Sequence, residues 1–119
     1  MNDIVSVLLE SMVQSHVFHL RTRSYAAHIA LQEYYTQIQE LTDDLAEVMI
    51  SAEGDLVKYC ENIKISNEAT TDHIKTYFSE LIDIAEISYN NMEDVAVQSV
   101  MEDILKLMRL THYKISFLK

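Results

Sequence analysis

The chain has one glycine, no proline and one cysteine in 119 residues. An all-β fold spends glycine and proline on its many turns, so this composition argues against one. A lone Cys60 excludes an internal disulfide and agrees with a reducing compartment, so a cytoplasmic location is expected. No apolar run approaches the roughly 20 residues that a membrane span needs, and no membrane partner is expected. The N-terminal stretch lacks a basic start and is broken by Asp3 and Glu10, so it does not read as a secretory signal. There is no internal repeat and no low-complexity segment.

Apolar residues make up 49% of the chain, which predicts a packed core rather than disorder. The length suits one domain, 1–119, with a modest core. The formal net charge is -10, and it is spread unevenly. Between Ser24 and Val57 there is no Lys or Arg, but there are Glu33, Glu40, Asp43, Asp44, Glu47, Glu53 and Asp55. Such a surface repels phosphate backbones and draws cations, or it is simply a solvated face that keeps the chain soluble.

Apolar residues recur at helical spacing in four stretches. The first helix is predicted from about Asn2 to His19 or Leu20, with Ile4, Val5, Leu8, Leu9 and Met12 as its core stripe. His16 falls at the edge of that stripe and His19 nearer its middle, where a packed structural residue is expected. A break belongs within Arg21 to Ser24, with Ser24 as N-cap of the next helix. The second helix runs to about Ser51 or Ala52 and stops at Gly54. Its stripe is Leu31, Tyr34, Ile38, Leu41, Leu45 and Val48. Asp55 to Ser66 reads as a connection in which Leu56, Val57, Tyr59, Cys60 and Ile63 could form a short helix, with Cys60 a small buried or partly buried residue. If helices two and three run parallel, this connection is a crossover. The third helix begins near Asn67 to Thr71 and ends near Asn90 or Asn91. Its core is Ile74, Tyr77, Phe78, Leu81, Ile84 and Ala85, and His73 is expected to be exposed in its first turn. The fourth starts near Asn91 or Met92 and reaches about Phe117. Val95, Val100, Met101, Ile104, Leu105, Met108 and Tyr113 form its apolar face. His112 has no partner that the sequence names. These stretches predict an all-α four-helix bundle.

The stretch from His16 to Glu47 carries the candidate chemistry. His16 and His28 are followed by Asp43 and Glu47, and imidazole plus carboxylate is ligand chemistry for a transition metal such as iron. Asp43 and Glu47 are four apart and share a helix face, almost opposite the apolar stripe. That placement suits a subunit-interface site and a plain solvated face equally. On one continuous helix, His28 and Asp43 are about 22 Å apart. Either the stretch is not one helix, or ligands for one ion come from two chains.

Histidine, eleven residues, histidine, fourteen residues, aspartate, three residues, glutamate is a spacing that resembles the Dps-type mini-ferritins. The text AHIALQEYYTQIQELTDDLAE is similar to that family's second helix, and DVAVQSVMEDILKLMRLTHYKISFL more distantly to its last. The chain departs from the family pattern at Val17, where a tryptophan is usual. It departs again in LRTRS, which replaces a Gly-Pro-containing turn, and at Gln32, where an acid is common.

The resemblance implies a ferritin-like bundle with a crossover between helices two and three. It implies ferrous iron bound by His16 and His28 of one subunit and by Asp43 and Glu47 of its two-fold mate. Those four residues would be the ferroxidase centre, with hydrogen peroxide as oxidant and ferric mineral stored in a hollow homo-oligomer, a dodecamer in the family. Such chemistry protects against oxidative stress. Tyr25, Tyr34 and Tyr35 are then electron donors near the site, or ordinary packing. The family's DNA-binding members use basic tails or patches; MNDIVSV has none, so direct DNA binding is not expected. Two other functions fit the same residues. One is a non-enzymatic helical-bundle assembly protein whose ligand pattern is vestigial or accidental. The other is a bundle whose acidic face binds divalent cations without redox chemistry.

Overall fold

The computed structural model describes residues 3–119, and the chain forms an all-helical four-helix bundle. The helices are α1 (Ile4–Arg21), α2 (Tyr25–Glu53), α3 (Thr71–Asn90) and α4 (Val95–Phe117). No strand occurs among the described residues. Asn2, the expected start of the first helix, lies outside them. Each helix opens on a short polar side chain that accepts from a first-turn N–H: Asp3, Ser24, Thr70 and Asp94. Asp94 explains why α4 starts later than expected. Asn91 and Met92 close the end of α3 instead, their N–H groups bonding to Ser88 and Tyr89. Gly54 ends α2 in the left-handed conformation, at φ 76°, which a side chain would strain.

Around the bundle, α1 packs on α2, α2 on α4 and α4 on α3, with a lighter α1–α3 contact. The interior holds Phe18, Leu31, Tyr34, Ile38, Phe78 and Met101, all fully buried. Burying each such side chain contributes roughly 1.5–3 kcal/mol. Three expected core residues lie outside. Leu9 is 38% exposed, Val95 78% and Tyr113 50%. Val95 is the first residue of α4. Tyr113 lies between His112, which meets Ser79 of α3, and Lys114, which meets Glu33 of α2, while Thr111 and Ile115 take the interior. That leaves Tyr113 facing outward.

The connection between α2 and α3 forms no short helix. Its peptide groups are taken up by one row of α1 instead. Cys60 N–H donates to Ser6 Oγ (2.9 Å), and Lys64 N–H to Glu10 (3.2 Å). Ser66 N–H donates to Gln14 Oε1 at 2.7 Å, and the Gln14 amide returns a bond to the Ser66 carbonyl at 2.9 Å. Arg21 donates to the Asn67 carbonyl at 2.6 Å. Both sets of numbers rise together, so the segment runs alongside α1 in the same direction. In this extended path Cys60 is exposed, not buried.

One polar contact stitches α1 to α2 inside the core. Ser11 Oγ lies 2.8 Å from the Leu8 carbonyl and 2.8 Å from Tyr34 Oη. Carbonyls only accept, so Ser11 donates to Leu8 and Tyr34 donates to Ser11. Burial pushes the Tyr34 phenol well above its ordinary range, against the smaller opposing effect of the Ser11 bond. The two truncations are therefore unequal. Ser11→Ala orphans a buried hydroxyl and is expected to cost about 1–3 kcal/mol. Tyr34→Phe leaves Ser11 its own acceptor and should cost about 0.5–1.5 kcal/mol. Urea unfolding checks this; equal or reversed losses would show that the hydroxyl has another partner.

Candidate functional site

The turn joining α1 to α2 is only Thr22 to Ser24. Ser24 N–H bonds to Thr22 Oγ1 at 3.2 Å, and Ser24 Oγ accepts from Ala27 N–H at 3.2 Å. Such a tight turn lays the last turn of α1 beside the first of α2 and leaves the final carbonyls of α1 without helical partners.

One histidine fills that need, and a second pairs with it. His28 Nδ1 lies 2.8 Å from the His19 carbonyl, and His19 Nδ1 lies 2.8 Å from the His28 carbonyl. A carbonyl accepts only, so both rings carry their proton on Nδ1. The rings stack at 3.7 Å and 18°. His28 thereby caps the end of α1, where its carbonyls point. His19 is buried, as a structural residue should be, and His28 is half-buried.

His16 is one turn earlier and exposed. Its ring stacks on Tyr35 of α2 at 4.2 Å and 11°, and meets His19 edge-on at 5.9 Å. His16 and His28 thus flank His19 at the same end of the hairpin. His19 and His28 cannot share one ion. An ion about 2 Å from one nitrogen in its ring plane falls far outside the plane of a ring stacked 3.7 Å away.

Asp43 and Glu47 are both exposed, one turn apart on α2. Since α2 is unbroken from Tyr25 to Glu53, Asp43 stands about 22 Å and Glu47 about 28 Å along it from His28. The carboxylates and histidines of one chain therefore do not meet. Among the described residues, no group of three or more His, Cys, Asp and Glu side chains is placed to hold a metal within one chain.

The remaining histidines have structural partners. His73 sits in the first turn of α3, but it is half-buried rather than exposed, against Phe18 and 3.5 Å from Glu68. His112 lies 3.2 Å from Ser79 Oγ. An open groove of about 1120 Å³ lies between α3 and α4, bridged by Arg109–Glu86 and by Tyr89–Glu102. It shares no residue with the histidine cluster.

The His19–His28 pairing escaped the sequence reading, although a signal existed. His19 lies three residues before the turn and His28 four after it, close enough in register to meet across a tight antiparallel hairpin. No helix of the described residues is long and apolar enough to cross a membrane.

The fold and this hairpin define the class: a small all-helical bundle with histidines closing one end. Within that class, the chain belongs to a family of unknown function (DUF5856), which matches residues 19–115. It is similar to the uncharacterized 14.6 kDa protein in the mobD-ri intergenic region of Enterobacteria phage T4. The two are 26% identical over 115 residues, which covers 97% of this chain and 87% of that protein. No solved structure matches the chain. These matches overturn the resemblance to the Dps-type mini-ferritins. Neither match is a mini-ferritin, and the family match begins at His19, leaving His16 outside it.

The hairpin geometry yields a stability ranking. His28→Ala orphans the His19 carbonyl and breaks a stack, and His19→Ala removes a buried ring, its stack and its bond to the His28 carbonyl; each is expected to cost about 1–3 kcal/mol. His16→Ala removes an exposed stack on Tyr35 and should cost under about 1 kcal/mol. A loss at His16 matching that at His19, by denaturant unfolding, would contradict the clamp.

Proposed function

We propose that this chain is a non-enzymatic helical assembly module that works as a homo-oligomer. The observation that carries this reading is the use of the histidines. His19 and His28 spend their Nδ1 donors on closing the hairpin, and among the described residues no group of three or more His, Cys, Asp and Glu side chains is placed to hold a metal within one chain. What the surface offers instead is apolar side chains, among them Leu20 and Tyr25, each at least 70% exposed. Exposed apolar surface of this kind favours protein contacts.

The finer fold reading belongs here too: a ferritin-like bundle whose α2–α3 connection is a crossover. Its support is the register of residues 60–67 along α1, which carries the chain back to the end where α2 began. A net charge of -10 supports the absence of direct DNA binding.

A second reading is iron binding and oxidation at a site shared between two copies, with His16 and His28 from one and Asp43 and Glu47 from the other. The exposure of His16, Asp43 and Glu47 supports it, since a second chain can reach all three. The twelve-subunit shell came with the overturned resemblance and is not carried forward.

Two measurements separate the readings. Light scattering at micromolar concentration should give a mass above the 13.8 kDa of one chain. A monomer would sink both readings. Anaerobic ferrous titration followed by peroxide should show no oxidation at fixed stoichiometry; such oxidation would favour the second reading.

A further inference from the structure

We propose that a second copy of this chain docks on the outer face of the α1–α2 hairpin, with the two α1 helices facing each other across a two-fold axis. This inference rests on the assembly reading above and says where assembly happens.

α1 presents three rows. Ile4, Leu8, Ser11, Ser15 and Phe18 face the core, and Ser6, Glu10 and Gln14 hold the connecting segment. The third row is Leu9, Val13, His16 and Leu20, at spacings of four, three and four. It faces outward: Leu9 is 38% exposed, Val13 37% and Leu20 70%, and His16 is exposed although its ring stacks on Tyr35 of α2. Apolar residues at this alternation form the seam that one helix offers another.

Charge decides the occupant. From Ile4 to Gln39 the chain has only Glu10, Arg21, Arg23 and Glu33, two acids and two bases that cancel. The whole excess of ten negative charges therefore lies outside this stretch. Three of the four charged groups are also turned away, Glu10 and Arg21 onto the connecting segment and Glu33 onto Lys114 of α4. On the adjoining α2 surface, Gln32, Thr36 and Gln39 are exposed and uncharged.

A chain this acidic repels its own copy at close range wherever acidic faces would meet, since like charges in contact are costly. The hairpin face is where two copies can touch without that penalty. An isologous two-fold contact sets each row against its own kind, and a row free of Asp, Glu, Lys and Arg is compatible with itself. An α1 about 27 Å long beside α2, about 10 Å away, offers a footprint on the scale of the roughly 800 Å² per partner of a stable interface.

The test is sedimentation velocity on the full chain and on Leu9→Glu/Val13→Glu, with circular dichroism to verify helicity. The double variant is expected to weaken self-association at least about tenfold, because each interface then carries unpaired carboxylates. Tyr113→Glu/Phe117→Glu, on the outer face of α4, should leave association unchanged. If the parent chain is monomeric, the assembly reading itself fails. If the parent associates but Leu9→Glu/Val13→Glu associates equally well, the assembly reading stands and this face is wrong. Should that variant lose helicity, Leu20→Glu at the far more exposed end of the row takes its place and must also weaken association. A Val13→Cys/Cys60→Ser chain should form an intermolecular disulfide under mild oxidation, and failure to do so while oligomeric would overturn the α1-to-α1 arrangement.

Discussion

The His19–His28 exchange holds two helices shut where the backbone cannot. A three-residue turn leaves the last carbonyls of α1 unpaired, and unpaired buried peptide groups cost about as much as lost hydrogen bonds. The His28 imidazole satisfies the orphaned His19 carbonyl and the His19 imidazole adds a second bond, to the His28 carbonyl of α2, so the bonds set the register of α1 against α2 at one end. Further along, the Ser11–Tyr34 contact pins the same register inside the core. With both in place, the three rows of α1 have fixed destinations: the core, the connecting segment and the outside.

Much of this was legible in the sequence, because helical periodicity and caps are local. Ser24, the break before it and Gly54 follow from capping chemistry and from the sparseness of glycine. The buried positions of α2 and α3 follow from a three-four repeat. The failures come from non-local competition. Residues 56–63 have the pattern for a short helix, but Ser6 of α1 takes the Cys60 N–H, and Glu10 and Gln14 take those of Lys64 and Ser66 just beyond, which holds the segment extended along α1. Leu9 and Tyr113 read as core because they are apolar, yet each lies on an arc with no neighbouring helix in the same chain.

The histidine and carboxylate spacing is not by itself specific to a metal centre. Residues four apart share a face on any helix, and a histidine on each side of a turn comes close in any helix hairpin. The interval from His16 to Glu47 is therefore matched by hairpins that hold no metal. The chain belongs to a different family, of unknown function, and its second histidine is engaged in capping. His19, read as structural, is buried and bonds to the His28 carbonyl, as that reading expects.

Charge segregation gives the bundle its direction. Residues 4–39 carry no net charge, while the net charge of -10 lies elsewhere in the chain, partly on the same α2 at Glu40, Asp43, Asp44 and Glu47, and this contrast supports the proposal that copies of the chain meet on the Leu9–Leu20 row. The most direct measurement is an isotope-filtered NOE experiment on an equal mixture of ¹³C-labelled and unlabelled chains. Intermolecular contacts should appear from the methyl groups of Leu9, Val13 and Leu20. Contacts only from Ile87, Leu110 or Leu118, with none from the α1 row, would contradict it.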